Sequence, residues 1–334
     1  MLDLARLRAL HAVAVHGTVG AAADALGYTP SAVSQQIAKL ERETRTKLLE
    51  RQGRGVALTD EAVRLADAAR ELLAIVERAE TDLEERRGVP AGRLTVVAFA
   101  SAARGLLPGT LAELARRHPA LDARLTEVEP HLSVDLVAKG AADLAVAHDW
   151  DIAPLPAPPG VEQAVIGEDL CDLLVPAGHR LAGRKSVRRA ELRDERWISQ
   201  PPGRVCHDWL VRTMRAAGCE PDIVHQAEEN PTLIALVAAG LGIALLPRLG
   251  RGPLPAGVVA VQLDPLPARR LYAVWRTGAA RRPAIAEAVR VLRETWDTVT
   301  AADDTTVTPA ADTAVTATAD KPVGAAAGPP PLMS

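Results

Sequence analysis

The sequence predicts a helical N-terminal domain with a helix-turn-helix and a β-hairpin wing, then one long helix, then a two-lobed α/β domain. Three observations predict this order. Residues 4–49 are rich in helix formers and are interrupted at Gly17 and Gly27. Residues 59–87 space their apolar side chains by three and four. From Leu94 onward, short strand-like runs alternate with helical runs, which is typical of an α/β fold with mainly parallel sheets.

The overall composition fits a two-domain protein with a sizeable core. The chain has 334 residues, of which 48% are hydrophobic and 24% charged. No apolar run approaches the ~18 residues of a membrane helix, and the N-terminus does not resemble a secretory signal. Three cysteines without a C-x-x-C pair argue against a disulfide framework or a zinc site and suit a reducing cytosol. We therefore expect a cytoplasmic, nucleoid-associated protein with no metal, no cofactor and no membrane contact.

The distribution of charge points to a polyanionic partner. The formal net charge is −3, but residues 1–58 hold eight Lys or Arg against five Asp or Glu. A cationic surplus at the N-terminus is the kind of charge that attracts nucleic acid. Only 2% of the residues are aromatic, which argues against the stacked platforms that bind single strands or RNA.

The N-terminal region is predicted to hold three short helices and a hairpin. Thr18 and Thr29 are each placed to cap a helix, and Pro30 fits a first turn, where its missing N–H costs nothing. The helices are expected at roughly 4–16, 19–25 and 30–44. A tight turn at Gln52–Gly55 then separates two short apolar runs and predicts the hairpin.

The third helix has the two faces expected of a recognition helix. Val33, Ile37 and Leu40 form an apolar face, and polar side chains lie opposite. Hydroxyl and amide groups at the helix start suit base edges, while Arg and Lys farther along suit phosphates. The alternative is a three-helix domain whose polar face is merely solvated. The predicted DNA-binding residues are Thr29, Ser31, Ser34, Gln35, Lys39, Arg42 and, beside the hairpin turn, Arg51 and Arg54.

The long helix over 59–87 carries a continuous apolar seam. Thr59 begins it, and a heptad spacing follows along one face. A single helix has few local partners for such a seam, so we predict that it pairs two copies of the chain. The alternative is that it packs on its own N-terminal domain. The seam consists of Ala62, Leu65, Ala69, Leu72, Val76, Ala79 and Leu83.

Proline-rich segments are expected to divide the α/β region into two lobes. The chain is predicted to cross between the lobes at 149–165 and again at 263–267, and to return to the first lobe through Tyr272–Trp275 and a helix over 283–296. Residues 301–334 are rich in Ala, Thr, Asp and Pro without a periodic apolar face, and are predicted to be disordered.

The N-terminal motifs resemble the signature of LysR-type transcriptional regulators. The resemblance extends to about residue 300 and is strongest over 4–65; the matching segments are Ala21–Leu26, Thr29–Ile37, Leu40-Glu41, Leu48–Arg51 and Val56–Thr59. It implies homodimers or homotetramers that bind imperfect inverted repeats in double-stranded DNA. It also implies a winged helix-turn-helix over 1–58, a dimerising linker helix over 59–87 and a two-lobed effector domain of periplasmic-binding-protein type over 93–300.

The resemblance assigns roles to individual positions. Ser31, Ser34 and Gln35 resemble the family's base-contacting positions, and Arg51 resembles a wing contact. Two positions depart from the family's pattern. Gln35 stands where Arg is frequent, and Ala62 lies where a Gly usually follows the wing, which should stiffen the entry to the long helix.

An effector site is predicted where helix N-termini face the cleft between the lobes. Ser101 and Ala102 begin one such helix, with Ser101 as its cap, and Asn230 and Thr232 begin another. Two helix N-termini at one cleft favour a small anion, often a carboxylate. The mouth is predicted to include His148, at a strand end, and Gln200, in a loop. The alternative for each is ordinary capping or loop bonding.

Other features carry weaker functional interpretations. Cys206 and Cys219 are a possible redox switch, but we favour inert thiols because little nearby would lower their pKa. His11 and His16 lack a third metal ligand. We predict a regulator rather than an enzyme. The rival classes are a two-lobed enzyme or solute-binding protein and an architectural DNA binder, which would need a larger basic surplus.

Overall fold

The computed structural model describes residues 2–52, 55–151, 154–155 and 157–306. Its N-terminal part contains α1 (Leu4–His16), α2 (Val19–Leu26), α3 (Pro30–Thr44), the hairpin strands β1 (Leu49–Gln52) and β2 (Gly55–Leu58), and α4 (Asp60–Arg87). Each of the four helices begins after a residue whose side-chain oxygen accepts a backbone N–H bond. These caps are Asp3, Thr18, Thr29 and Thr59, so the predicted threonine caps are confirmed.

The N-terminal domain is held together by one apolar core. Helix α1 packs against α2, α3 and α4, and its Leu10 is fully buried. The predicted apolar face of α3 is confirmed, because Val33, Ile37 and Leu40 are buried in the same core. Burial of this face directs the opposite, polar face of α3 away from the domain.

The apolar seam of α4 is used in two different ways. Ala62 and Ala69 are fully buried against the N-terminal domain, as the alternative interpretation proposed. Farther along, Leu72 is 44% exposed and Leu83 57% exposed. The seam therefore packs on its own domain at the start of the helix and is left open toward the end.

The C-terminal region alternates strands and helices as predicted. In chain order its elements are β3 (Gly92–Ala98), α5 (Ala100–Gly105), α6 (Leu107–Arg117), β4 (Leu121–Glu127), α7 (Pro130–Ala138), β5 (Leu144–Trp150), β6 (Val161–Pro176), β7 (Ser186–Arg188), β8 (Arg196–Ser199), α8 (Val205–Ala216), β9 (Asp222–Gln226), α9 (Asn230–Ala238), β10 (Ala244–Pro247), β11 (Val258–Asp264), β12 (Ala268–Arg276) and α10 (Pro283–Thr306).

The large sheet is mixed rather than mainly parallel. Its strand order is β4-β3-β5-β12-β6-β11-β7, with β10 also paired to β6. Strand β3 is parallel to β4 and β5, but β12 is antiparallel to both β5 and β6, and β10 and β11 are antiparallel to β6. The prediction of mainly parallel sheets was therefore wrong, because the two strands that return between the lobes run against their neighbours.

The first crossing between the lobes lies farther along the chain than predicted. Strand β6 pairs with β12 over its first part and with β10 and β11 over its last, so one continuous strand enters both lobes. The segment 149–165 instead leads from β5 into β6. The second crossing does fall at 263–267, between β11 and β12. The lobes have separate cores, one around Leu94, Leu144 and Leu292 and one around Leu173 and Trp197.

Helix α10 continues beyond its predicted end. It runs to Thr306, so residues 301–306 are helical and the prediction of disorder from residue 301 was wrong for them. Apolar residues of this helix, including Leu292 and Trp296, pack on the first lobe and anchor it there. The rest of the predicted tail, 307–334, lies outside the described residues. In the described part of the chain, no helix is both long and apolar enough to cross a membrane.

Candidate functional site

The exposed face of α3 presents a row of unpaired polar side chains. Thr29 is occupied as the cap, since its Oγ1 accepts the Ala32 N–H at 3.2 Å. Ser31, Ser34 and Gln35 are exposed, and their side chains make no hydrogen bond to any described residue. The structure thus leaves the three predicted base-contacting side chains available.

Of the residues predicted to contact phosphates, the side chains of Lys39 and Arg42 are described and those of Arg51 and Arg54 are not. Lys39 is exposed, while Arg42 Nε donates to the carbonyl of Ala38 at 3.3 Å. Arg51 lies in β1, but its side chain is outside the described part of the structure, as is Arg54.

One half-buried carboxylate fixes the wing to the recognition helix. Glu41 Oε1 accepts the backbone N–H of Leu48 at 2.9 Å and of Leu49 at 3.3 Å. Burial opposes its charge, but these two bonds and the nearby Lys47 outweigh that penalty and lower the pKa of Glu41. Sequence reasoning missed this contact, because its partners are backbone groups seven and eight residues away.

An ion-pair bridge connects the two lobes at the mouth of the cleft. Arg204 precedes α8 of the second lobe, and its guanidinium contacts Glu129, which precedes α7 of the first lobe, at 2.9 Å. The same guanidinium contacts Glu228, near the start of α9, at 2.9 Å. The starts of α7, α8 and α9 therefore converge at one point.

A pair of tryptophans closes the cleft beside this bridge. Trp150, at the end of β5, stacks on Trp209 of α8 with ring centroids 4.4 Å apart. Trp209 Nε1 also donates to Asp151 Oδ1 at 2.8 Å. The lobes are thus in direct contact.

Ser101 is not a helix cap. Helix α5 starts two residues earlier than predicted, at Ala100, with Phe99 in the cap position and no side-chain cap bond. The hydroxyl of Ser101 instead accepts a 2.6 Å bond from Arg269 Nη2, and Arg269 pairs with Asp169 at 2.7 Å. The prediction was wrong because this buried arginine, 168 residues away in sequence, takes the hydroxyl.

The other predicted residues of the first lobe are buried. The side chain of Ala102 is fully buried in the lobe's core, so only its backbone can face a ligand. His148 lies inside β5, 4% exposed, with its ring edge-on to Phe99 at 4.6 Å. Burial, with Arg269 nearby, lowers the pKa of His148 well below its ordinary value, so the ring is neutral. Its position is interior rather than at the mouth.

In the second lobe, the predicted residues lie near the start of α9. Gln200 Nε2 donates to the carbonyl of Glu228 at 3.1 Å. Asn230 and Thr232 are in the first turn of α9, and the preceding Glu229 makes no side-chain cap bond. The starts of α7 and α8 likewise lack side-chain caps.

The cysteines and histidines of the described residues are separate groups, without a disulfide or a cluster of metal ligands. The three cysteines are free thiols. Burial raises the pKa of Cys171 and of Cys206, which disfavours a reactive thiolate. His11 Nε2 bonds to the carbonyl of Lys139 at 2.6 Å. No group of three or more potential metal ligands occurs in the described ranges.

Comparison with known families matches both halves of the chain. Residues 4–63 match the model of the bacterial regulatory helix-turn-helix protein, lysR family, and residues 87–297 match the LysR substrate binding domain. The chain belongs to the LysR family. It is a DNA-binding transcriptional regulator with an effector-binding domain.

Individual relatives cover nearly the whole LysR-type chain. A probable hydrogen peroxide-inducible genes activator of Streptomyces viridosporus is 33% identical over 300 residues, covering 87% of this chain and 94% of the relative. A full-length OxyR variant from Pseudomonas aeruginosa has a TM-score of 0.64 at 21% identity, covering 88% of this chain and 98% of that one. Full-length CbnR complexed with its target DNA has a TM-score of 0.54 at 21% identity, covering 88% and 100%. The curated relatives carry the names of regulators rather than enzymes.

We expect Glu41 to make the local stability of the wing depend on pH. We expect Glu41→Gln to lower hydrogen-exchange protection of the Leu48 and Leu49 amides about tenfold at pH 7, because a charged acceptor contributes ~1.5 kcal/mol. Since the folded-state pKa is lowered, wild-type protection should hold above the ordinary Glu pKa and fall as the pH drops through the folded value. The control is Glu50→Gln, at an exposed carboxylate. Equal protection in both variants would contradict this role.

Proposed function

We propose that this regulator reads an imperfect inverted repeat with α3 and its wing, that α4 joins the copies, and that a small organic anion between the lobes controls DNA binding. We further propose that it acts on the nucleoid in the cytoplasm and has no enzymatic activity. The observation that carries the proposal is the free polar face of α3. Its exposed hydroxyl and amide groups are suited to base edges in a major groove.

The open end of the α4 seam supports assembly through that helix. The seam residues Leu72 and Leu83 are 44% and 57% exposed, and Ile75, outside the seam on the same helix, is 53% exposed, which is unusual for large apolar side chains on one helix. Because Ala62 and Ala69 are already packed inside the N-terminal domain, the surface left for a second copy is the later part of α4. Two such faces together would bury these side chains.

Unsatisfied nitrogen atoms support a ligand between the lobes. His148 Nδ1 is buried and has no hydrogen-bond partner within the described residues. Trp150 Nε1, two residues along the same strand, is also buried without a well-formed hydrogen bond, and the group near it is the thiol of Cys206, a weak acceptor. Leaving such groups unpaired is costly, so a ligand or water that bonds to them is favoured.

The helix ends that meet at the cleft favour a negatively charged ligand. The starts of α7, α8 and α9 have no side-chain caps. Each start is also the positive end of a helix dipole. Together these ends favour an anion.

The ion-pair bridge suggests how such an anion would act. Arg204 is shared by Glu129 of the first lobe and Glu228 of the second. An effector carboxylate that paired with Arg204 would replace Glu129, and the lobes would lose their bridge. The lobe angle would then change, and with it the placement of the paired N-terminal domains on DNA.

A thiol-based peroxide response is the second candidate, prompted by the name of the Streptomyces relative. The raised pKa of Cys206 disfavours it, because the thiolate is the form that reacts. We therefore favour a small-molecule effector over a thiol-based response.

The DNA-binding role is tested by Gln35→Ala and Lys39→Gln. Operator sequences come first from selecting genomic fragments on the full-length protein. Gln35→Ala should lower discrimination at particular base pairs by about 1–3 kcal/mol and leave the salt slope unchanged. Lys39→Gln should weaken binding on all sequences and reduce the slope by about one. Binding titrations at several salt concentrations measure both. A uniform loss from Gln35→Ala would overturn its base contact.

The oligomer interface is tested by Leu72→Glu combined with Leu83→Glu. Burial of a leucine side chain stabilises by ~1.5–3 kcal/mol, so losing both should shift the protein toward monomers by at least about tenfold in association constant. Analytical ultracentrifugation measures the shift. Leu241→Glu, at an exposed leucine after α9, is the control and should leave the oligomer intact. An unchanged oligomer in the double variant would contradict assembly through α4.

The effector site is tested with small carboxylates and their amides, chosen from pathways encoded beside the bound operators. Binding should raise the unfolding temperature for the carboxylate and not for the amide. Thr232→Val should weaken binding about tenfold, as expected for a lost bond to a charged group. Thr298→Val on α10 is the matched control. Equal stabilisation by the amide would rule out the anionic preference, and an unaffected Thr232→Val would remove that residue from the site.

A further inference from the structure

A cavity of about 360 Å³ lies between the N-terminal domain, α4 and the first lobe. It is separate from the cleft between the lobes, and its walls come from all three parts of the chain. Helices α1 and α2 form one side, α4 forms a second, and the loop after α7 with β3 and β12 forms the third. Its volume falls in the range of small-molecule sites.

Part of the cavity wall is apolar. The side chains involved are half-buried, so they are shielded within the domain but still reach the cavity surface. They come from α1, α2 and α4 and provide a surface on which a hydrocarbon or aromatic body can pack. They are Val15, Leu26, Leu73, Ala74 and Val76.

The polar part of the wall carries more positive than negative charge. Six cationic side chains line it, namely Arg8, Arg70, Arg93, Lys139, Arg276 and Arg282. Four carboxylates accompany them, namely Glu77, Glu80, Glu84 and Asp143. Both histidines of α1, His11 and His16, also line the cavity, and burial together with His11 lowers the pKa of His16 and favours its neutral form.

Most of these charges are already paired. Arg276 pairs with Glu77 and Asp143, and Arg282 pairs with Glu84 and Asp143. The other two paired cations contact nearby carboxylates, Arg70 with Asp67 on α4 and Lys139, directly after α7, with Asp135 on that helix.

Two arginines at the wall keep their guanidinium groups available. The groups of Arg8 and Arg93 make no hydrogen bond or ion pair with any described residue. Arg93 does act at a distance on Asp122, whose pKa is lowered by Arg124 first and by Arg93 to a smaller extent. Glu80 is the one lining carboxylate without a hydrogen bond or ion pair within the described ranges. Two cations against one carboxylate leave the cavity matched to an anion.

Direct hydrogen bonds between the walls fix their relative positions. His11 Nε2 of α1 bonds to the Lys139 carbonyl at 2.6 Å, which ties the N-terminal domain to the first lobe. Arg276 Nε donates to Glu77 at 2.7 Å, which ties α4 to the same lobe. The cavity therefore exists because these parts meet in this arrangement.

We infer that this cavity is a second small-molecule site, which takes an amphipathic organic anion with its apolar body on the α1–α2–α4 surface and its acid group paired with the two available arginines, Arg8 and Arg93. An occupant contacts the N-terminal domain and the first lobe together. It consequently stabilises the arrangement in which the N-terminal domain and the first lobe are in contact over any in which they separate. Binding at this site would therefore regulate the position of the DNA-binding domain directly.

The test uses 2-naphthoate as the probe and 2-naphthamide as its uncharged match, with the full-length protein and isothermal titration calorimetry. Naphthoate should bind saturably and the amide at least about tenfold more weakly. Arg8→Met and Arg93→Met, each at an exposed side chain, should each weaken naphthoate binding about fivefold to tenfold, as loss of a charge-assisted bond predicts. Arg212→Met, at an exposed arginine of α8, is the matched control and should bind as wild type does.

Three results would overturn the inference: no saturable binding at millimolar naphthoate, equal affinity for the amide, or unchanged affinity in both Arg8→Met and Arg93→Met. Loss of naphthoate binding in Thr232→Val would place the probe in the cleft and overturn it too. The first three results do not bear on the cleft effector or on α3, since those are tested with other ligands and with DNA.

Discussion

The contacts of Arg276 determine how the effector domain meets the rest of the chain. Its guanidinium donates to Glu77 of α4, to the carbonyls of Val137 and Ala142 in and after α7, and to Asp143 before β5. The half-buried guanidinium thus joins β12 to α4, to α7 and to the connection between α7 and β5. A planar guanidinium with five donors in a fixed geometry can satisfy so many acceptors at once, which an ammonium group cannot.

The position of α7 makes this junction relevant to the cleft. The C-terminal end of α7 is held by Arg276, and Glu129 at its N-terminal end contacts Arg204 of the second lobe. One short helix therefore touches both the α4 junction and the lobe that an effector would move. A change in lobe angle at one end has a direct physical route to α4 at the other, through a rigid element rather than a flexible loop.

A buried ion pair lies where the chain crosses between the lobes. Arg269 and Asp169 sit on the neighbouring strands β12 and β6, and each is nearly inaccessible to solvent. Burial alone would disfavour the charge of Arg269, but Asp169 compensates and raises the pKa of Arg269. Because Ser101 also bonds to this arginine, the start of α5 is tied to the crossing strands. The strands that cross between the lobes are therefore joined by a buried ion pair that also fixes the start of α5.

The sequence by itself determined the N-terminal domain closely. Caps such as Thr18 and Thr29 and the apolar face of α3 act over three or four residues, so local spacing is enough to predict them. Which polar residues of α3 stay exposed follows from the same periodicity. The motifs over 4–65 also indicate the LysR family by themselves, without any tertiary contact.

Only the tertiary structure decided which residues contact one another inside the effector domain. Ser101 is engaged by Arg269, Arg204 spans to Glu129, and β6 runs through both lobes, all through contacts between residues far apart in sequence. No local pattern encodes such contacts, because a buried charge chooses its partner by proximity in the folded chain. The division of the α4 seam into a packed and an open part has the same origin. Spacing alone marks an apolar face, whereas the neighbouring domain determines how much of it remains uncovered.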